Sequence, residues 1–207
     1  MTRDEILEAA AQIISQKGYH AASMQDIAQA VNLQKASLYH HVSSKQEILL
    51  ILLNRGLDLL TERLEGVVAT PGAADEKLRL AMCVYLQTLV EYESLSAVLL
   101  LEHRSLEPEL HDLHIPRRDR FERIWRDLIQ DGIDEGIFEC ASPSIAARAV
   151  LGVMNWTITW YRNDGPLSAV EIATDFADLF SQGLLTRSSA STQGVCCNHV
   201  CKPPLIP

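Results

Sequence analysis

Polar and basic side chains gather in residues 34–41 of this 207-residue chain. Gln34, Lys35 and Ser37 are followed one turn later by Tyr39 and His40. In the DNA major groove a Gln pairs with adenine, a Lys with guanine and a Ser with either, and a Tyr hydroxyl can bond a phosphate. If residues 34–41 form an exposed helix, these five side chains are predicted to contact DNA.

Two predicted helix N-termini flank this segment. Ser23 stands three residues before Asp26, which is the spacing of a capping box, and Lys45 opens the next helix. Backbone N–H groups at helix N-termini favour phosphate oxygens. Ser23 and Lys45 are therefore predicted phosphate contacts.

The net charge of −9 alone argues against a nucleic-acid partner. Residues 1–46, however, contain four Lys or Arg and four Asp or Glu, so the whole negative excess belongs to residues 47–207. This distribution suits a protein that presents only its N-terminal end to a polyanion.

Apolar residues recur at helical spacing in the first 70 residues. Residues 2–18, 23–31 and 34–41 are predicted as three short helices, with a tight turn at Asn32. A long helix follows from Lys45 until the sequence Thr70-Pro71-Gly72 stops it. Two short helices at a tight turn, braced by a third, make a helix-turn-helix. The alternative is a small helical bundle whose polar surface has no function.

Five more helical segments are predicted beyond Gly72, and no run alternates with the period of a strand. They cover residues 73–92, 95–102, 108–136, 143–161 and 168–185. We therefore predict an all-α protein of about nine helices. A helix-turn-helix domain would span residues 1–46, and a ligand-binding and dimerisation domain residues 47–185. Residues 186–207, rich in Ser, Cys and Pro, are predicted to be a disordered tail.

Four predicted helices of the second domain, residues 73–92, 95–102, 108–136 and 143–161, carry more apolar and aromatic side chains than one packing seam requires. This excess suits a cavity for a long apolar ligand. The predicted lining residues are Met82, Tyr85, Leu86, Leu89, Phe121, Trp125, Leu128, Trp156 and Trp160. Packing in the core or at an interface is the alternative for the two tryptophans.

Five arginines lie between residues 117 and 126. Two of them, Arg123 and Arg126, each follow an acidic residue by four positions, which is the spacing of a helical ion pair. The others have no such partner and, like Arg162, could bind the phosphates of a ligand; they are Arg117, Arg118 and Arg120.

The last two predicted helices have the composition of a subunit interface. Ala149 and Gly152 are small enough to let a partner helix approach closely. Ile172, Phe176 and Leu179 form an apolar face that a monomer would expose. Two such helices from each chain would make a four-helix homodimer interface.

Metal and catalytic sites are not indicated. His111 and His114 could hold a divalent metal with nearby carboxylates, but a solvated polar loop is the preferred interpretation. The Cys-rich segment 196–201 lacks the second half of a zinc site. The motifs GxGxxG, GxSxG and HExxH are missing as well. We predict no metal, no cofactor and no enzymatic activity; a helical-bundle enzyme and a DNA-binding protein without a small ligand stay open.

The N-terminus carries acidic residues where a signal peptide has basic ones, and no apolar run approaches the roughly 18 residues of a membrane helix. This predicts a cytoplasmic protein with no membrane partner.

The predicted helix-turn-helix resembles a known family. The sequence GY…SMQDIA…VNLQKASLYHHV…KQEIL, within residues 18–49, is similar to the DNA-binding domain of TetR-family transcriptional regulators. It departs from the family at Asn32, where a Gly is usual, and at Val42, where an aromatic residue is. The resemblance implies a homodimer on a roughly palindromic double-stranded operator. It adds Met24 and Ala36 to the predicted DNA-binding residues.

A second resemblance covers roughly residues 75–185 and is specific mainly over residues 150–185. The residues Gly152, Asn155-Trp156, Trp160-Tyr161-Arg162 and Gly165-Pro166 are similar to the C-terminal domain of TetR-like repressors of fatty-acid and sterol catabolism. That subgroup responds to acyl-CoA. The resemblance therefore implies a repressor that a small apolar ligand, an acyl-CoA, releases from its operator. A drug or another hydrophobic small molecule is the alternative effector.

Overall fold

The computed structural model describes residues 2–184, and the elements of that range are helical. They are α1 (Arg3–Lys17), α2 (Met24–Ala30), α3 (Lys35–Leu38), α4 (Lys45–Val68), α5 (Ala74–Glu91), α6 (Glu93–Leu101), α7 (Pro108–Asp134), α8 (Pro143–Trp156) and α9 (Ala169–Leu184). Short 3₁₀ helices, His103–Ser105 and Thr157–Thr159, follow α6 and α8. The predicted all-α fold is confirmed, whereas the predicted tail at 186–207 lies outside the described residues.

Side-chain caps determine where the first helices begin. The Thr2 hydroxyl accepts a hydrogen bond from the backbone N of Glu5 at 3.2 Å, and the Ser23 hydroxyl accepts one from the backbone N of Asp26 at 3.1 Å. In both cases the acidic side chain accepts from the backbone N–H of the cap, which completes the capping box. The turn after α2 contains Asn32 at a φ of 54°, a left-handed conformation that Asn tolerates. The predicted turn is thus confirmed.

Helix α3 is shorter than predicted. Its α-helical residues are Lys35–Leu38 rather than 34–41. Beyond Leu38 the N–H of His40 donates to the carbonyl of Ser37 at 3.2 Å, and the N–H of His41 to the carbonyl of Leu38 at 3.0 Å. These i→i+3 bonds replace the α-helical pattern and hold residues 39–41 in a tighter turn.

Helix α4 connects the first three helices with the rest of the fold. It packs against α1 and also against α5, α6 and α7. Its buried residues extend from Ile48 to Val67. At Gly56 a Cβ atom would stand 3.1 Å from Cδ2 of Leu99, so α6 crosses α4 where α4 lacks a side chain. A displacement of α4 would therefore change the packing of the helices at both of its ends.

Helices α5 and α6 meet at a bend of 104°. The bend lies at Tyr92, which ends α5 with a φ of −113° and a ψ of 49°. Among residues 2–184 no single helix has the length and apolar composition of a membrane span. Helices α5 and α6 have that length and composition only when they are taken together, and they are bent against each other.

Helix α9 packs against α5. Ile172, Ala173 and Ala177 of α9 are buried, and Asp178 accepts a hydrogen bond from Arg79 of α5. Ile172, which was predicted to lie on a dimer face, therefore belongs to the core of its own chain.

Candidate DNA-binding and ligand-binding sites

Helix α3 and the turn after it present most of the predicted DNA-binding side chains to solvent. Gln34, Lys35, Ala36, Tyr39 and His40 are exposed, and Ser37 is half-buried; we name these six residues the recognition surface. Leu38 is fully buried and fixes α3 to the domain from the opposite side. Met24 is only 8% exposed, so it packs beneath the domain surface.

Lys45 ties the first turn of α4 to the loop before α2. Its ammonium group donates to the carbonyl oxygens of Tyr19 at 2.9 Å and Ala22 at 2.8 Å. The same group lies 4.3 Å from the centroid of the Tyr19 ring, in a cation–π contact. Since an ammonium group has three N–H bonds, one is left for a phosphate. Lys45 thus holds the backbone that directly precedes Ser23.

The charge of Asp26 is balanced at the exposed N-terminus of α2. Its carboxylate accepts hydrogen bonds from the Lys17 ammonium at 2.7 Å and from the Ser23 hydroxyl at 2.6 Å. These bonds hold the pKa of Asp26 well below its usual range. Because Lys17 pairs with the resulting carboxylate, this end of α2 can still approach a phosphate.

The 3₁₀ helix His103–Ser105 is bonded directly to the start of α4. The Gln46 amide donates through Nε2 to the carbonyl of Ser105 at 2.9 Å and accepts through Oε1 from the backbone N of Glu107 at 3.1 Å. The Ser105 hydroxyl also lies 3.4 Å from Nε2 of His20. A movement of residues 103–107 would therefore be transmitted to α4 and to the loop after α1. No local sequence pattern marks Gln46 for this role.

A cavity of about 490 Å³ lies beside α4, and we name it the central cavity. Its apolar lining consists of Leu57, Leu60, Leu99, Leu100, Leu101, Phe121, Leu151, Trp156 and Ile158. Its polar lining consists of Tyr85, His103, His111, His114, Arg118, Glu122, Asn155 and Thr159, and Gly152, a predicted interface residue, completes the wall. The volume lies in the range of about 300–1,000 Å³ that is usual for small-molecule sites, and a mostly apolar wall with a few polar groups is typical of them.

His114 is the most deeply buried titratable group of this lining apart from Tyr85. It is 4% exposed, and its Nδ1 lies 3.0 Å from Oδ1 of Asn54 on α4. Burial, with a smaller contribution from the positive charge of Arg118, lowers the pKa of His114 to about 4. The imidazole is therefore neutral at pH 7. The interpretation of His111 and His114 as a solvated loop was wrong, because both lie on α7 and line the cavity.

An aromatic group forms another part of the cavity wall. The Tyr85 hydroxyl donates to Oδ1 of Asn155 at 2.5 Å, and burial raises the pKa of this phenol. The Tyr85 ring packs edge-on against Trp125 at a centroid distance of 5.7 Å and lies 5.9 Å from Phe121. Tyr85 therefore stays protonated. Its hydroxyl is fixed by the hydrogen bond to Asn155, and its ring is fixed by the two aromatic contacts.

Two family models match the two parts of the chain. Residues 6–52 match the bacterial regulatory proteins of the tetR family, and residues 71–184 match the tetracyclin repressor-like C-terminal domain. The chain belongs to the TetR family. It is a DNA-binding transcriptional regulator, which confirms the resemblance seen in the sequence.

Individual TetR-type relatives span nearly the whole chain. The HTH-type transcriptional repressor KstR2 of Mycobacterium tuberculosis (strain ATCC 25618 / H37Rv) is 27% identical over 184 residues, which cover 88% of this chain and 92% of that protein. The crystal structure of the TetR family transcriptional regulator PfmR from Thermus thermophilus is 38% identical, with a TM-score of 0.79 and coverage of 86% and 97%. AibR in complex with isovaleryl coenzyme A and operator DNA is 28% identical, with a TM-score of 0.80 and coverage of 86% and 96%.

The predicted ligand residues of this TetR-family chain fall into different places. Tyr85, Phe121 and Trp156 line the central cavity. Leu89 and Arg162 line a second cavity of about 260 Å³. The core takes up Met82, Leu86, Trp125 and Leu128 as buried residues, and Trp160 is 46% exposed. Helical periodicity missed the polar lining, because those residues meet only in the folded chain.

Arg117 and Arg120, predicted to lack an acidic partner four positions away, pair instead with acidic residues of α4. The same prediction was wrong for Arg118, which has Glu122 at that spacing. Nε of Arg117 donates to Asp58 at 3.1 Å, and Arg120 donates to Glu65 at 2.6 Å. Arg118 lies 3.8 Å from Glu122, whereas the predicted 119–123 and 122–126 pairs are not among the ion pairs of residues 2–184. Arg162 is likewise paired, with Asp164 at 3.1 Å. Of these cations, Arg118 lines the central cavity.

Helices α8 and α9 and the segment between them expose apolar side chains. These residues are Ile145, Val153, Trp156, Trp160, Leu167, Val170 and Leu179. Ala149 and Gly152, predicted interface residues of α8, are exposed as well, and Phe176 is half-buried. Apolar surface of this kind is typical of a protein–protein interface.

Proposed function

We propose that this TetR-family regulator is a repressor that binds a roughly palindromic operator as a homodimer and is released by an acyl-CoA in the central cavity. The recognition surface would enter the major groove, while Ser23 and the free N–H of Lys45 would contact phosphates. Two copies related by a two-fold axis would read half-sites about 10 base pairs apart or a multiple of that spacing.

The observation that carries this proposal is that one helix serves both sites. Leu57 and Leu60 of α4 line the central cavity. In the first turn of the same helix Lys45 is bonded to the loop before α2, and Gln46 is bonded to the segment between α6 and α7. A ligand that binds more tightly when α4 is displaced would shift the population toward the arrangement that does not fit the operator.

An acyl-CoA is the effector that fits the central cavity best. Its apolar wall suits an acyl chain, and the exposed side chains of Leu101 and Trp156 indicate that this wall reaches solvent on their side. The coenzyme would then stay outside, where Arg118 offers a cation. The structural similarity to AibR, whose crystal structure contains isovaleryl coenzyme A, supports the choice of a thioester ligand.

The homodimer would use the exposed apolar residues of α8 and α9. A four-helix interface from two chains would cover Ala149, Gly152 and Leu179 and leave Trp156 uncovered beside the central cavity. We place the domain boundary at residue 46, where the DNA-binding part would end one turn into α4, and the end of the ligand-binding domain at residue 185. A regulator of bacterial genes would act in the cytoplasm and carry out no catalysis.

The DNA-binding part of the proposal is tested by gel shifts with the DNA upstream of the gene itself. Lys35→Ala and Tyr39→Ala each remove one contact of the recognition surface and are expected to weaken binding by about 1–3 kcal/mol. Leu113→Ala, at an exposed residue of α7, is the matched control. Retained wild-type affinity in the Lys35→Ala/Tyr39→Ala double variant would refute this assignment.

The effector part is tested by calorimetry with a panel of acyl-CoAs. We expect at least one to bind with a dissociation constant below roughly 100 μM and to lower operator affinity several-fold, as a coupling of about 1 kcal/mol requires. Binding of a drug-like apolar molecule but of no acyl-CoA would support the alternative effector instead.

A further inference from the structure

The ring nitrogens of His114 have different surroundings. Nδ1 is turned to α4, where it meets Oδ1 of Asn54 at 3.0 Å. An amide oxygen only accepts hydrogen bonds, so Nδ1 carries the proton and donates. Nε2 is then the unprotonated nitrogen, and it has no hydrogen-bond partner among the residues that the structure describes. His114 therefore offers a ready hydrogen-bond acceptor.

This acceptor belongs to a residue in the buried part of the central-cavity wall. His114 is 4% exposed, whereas Leu101 and Trp156, which line the same cavity, are 55% and 67% exposed. A ligand that enters the cavity beside Leu101 and Trp156 would contact His114 with its leading group. For an acyl-CoA this is the acyl group, since the nucleotide is too polar and too large to precede it.

Burial, and to a smaller extent the neighbouring charges, maintain the acceptor character of His114. Glu122 and Tyr85 line the same cavity, and four basic groups act on the charge of His114: His103, His111, Arg117 and Arg118. All four are cations or become cations on protonation, and each disfavours a second positive charge on His114. The imidazole therefore stays neutral, and Nε2 is an acceptor as long as Nδ1 donates to Oδ1 of Asn54.

We propose that His114 and Asn54 make the central cavity selective for acyl groups that carry a hydroxyl. The proposal rests on the proposed function, because it assumes an acyl-CoA in this cavity. A hydroxyl donates to Nε2 of His114, whereas a saturated chain leaves this buried acceptor without a partner. A keto oxygen at the same place would face the lone pair of Nε2, since both groups only accept.

The test compares three acyl-CoAs of one chain length by calorimetry. One is saturated, one carries a hydroxyl and one a keto group, with the oxygen at carbon 3 in one set and at the penultimate carbon in the other. In at least one set the wild type is expected to bind the hydroxyacyl-CoA about tenfold more tightly than the saturated and the keto compounds.

Two variants separate this selectivity from a structural role of His114. His114→Phe keeps a ring in the wall but removes the acceptor, so the three compounds are expected to bind within about twofold of one another. Asn54→Asp places a carboxylate beside Nδ1 and favours the imidazolium, whose Nε2 donates. In that variant the keto compound is expected to bind about as tightly as the hydroxyl compound. Leu113→Phe, which adds a ring at an exposed position of α7, is the control and should keep the wild-type preference.

Equal binding of all three compounds to the wild type in both sets would overturn this inference and leave the proposed function standing. A preference for the hydroxyl compound that survives in His114→Phe would overturn it as well, because another group would then be the acceptor. If no acyl-CoA of any kind binds, the proposed function itself falls, and the inference with it.

Discussion

Lowering the pH from 7 to 5 is expected to destabilise the chain through His114. In the unfolded chain a His takes up a proton near pH 6.5, whereas burial in the fold lowers the pKa of His114 to about 4. Between these values the unfolded state binds more protons than the folded state. Stability is therefore fully present above about pH 6.5 and falls as the pH decreases toward 4.

The size of this effect follows from the difference between the two pKa values. Each pKa unit corresponds to about 1.4 kcal/mol, and linkage over the interval from pH 7 to pH 5 gives a loss of about 2 kcal/mol for His114. His103, whose pKa is also lowered by burial, acts in the same direction. Carboxylates with lowered pKa values, such as Asp26 and Glu47, contribute only below about pH 5.

The assay is urea unfolding followed by circular dichroism at pH 7, 6 and 5. Wild type and His114→Gln are compared, because the Gln side chain is polar but does not titrate. The wild type is expected to lose about 2 kcal/mol more than the variant over this interval. Parallel pH dependences of the two proteins would refute the argument, since His114 would then bind its proton equally well in the folded and unfolded chains.

Two further changes test the packing and the proposed dimer. In thermal melts, Gly132→Ala is expected to lower the unfolding free energy by about 1–3 kcal/mol, because a Cβ there would overlap the ring of Phe138. Gly66→Ala is the control: its Cβ would meet nothing within 4 Å, so this variant should be neutral or more stable. Leu179→Asp is expected to give monomers in light scattering without loss of helicity, because this side chain is 70% exposed in the single chain. Leu113→Asp, on α7, should leave the dimer intact, and a Leu179→Asp dimer would refute the α8–α9 interface.

The helices could be predicted from sequence because their signals are local. The Ser23–Asp26 capping box and the left-handed Asn32 involve residues within a few positions of one another, so their spacing is visible in the chain. The apolar periodicity likewise reports which face of a helix is buried. The end of α3 was misplaced because its bonds change from i→i+4 to i→i+3 at Leu38, and no residue type enforces this change.

The candidate ligand site could be predicted only in part. Periodicity places Trp125 and Phe121 on the same apolar face of α7, but of these two only Phe121 lines the central cavity. Which residue of an apolar face reaches a cavity depends on the helix that packs against it. The ion pairs of Arg117 and Arg120 join residues more than 50 positions apart. The bond between His114 and Asn54 is of the same kind, so its role emerges only from the folded chain.

The central claim is that the cavity ligand and the operator bind to competing arrangements of one α4 helix. It is tested most directly by measuring their coupling in both directions. Anisotropy of a labelled operator gives its affinity with and without a saturating acyl-CoA, and calorimetry gives the affinity for acyl-CoA with and without operator. Linkage requires the two ratios to be equal. We predict that each affinity is lowered by the same factor of at least about fivefold, and that Gln46→Ala reduces this factor while both separate affinities remain measurable. Operator affinity that does not change at saturating acyl-CoA would contradict the account.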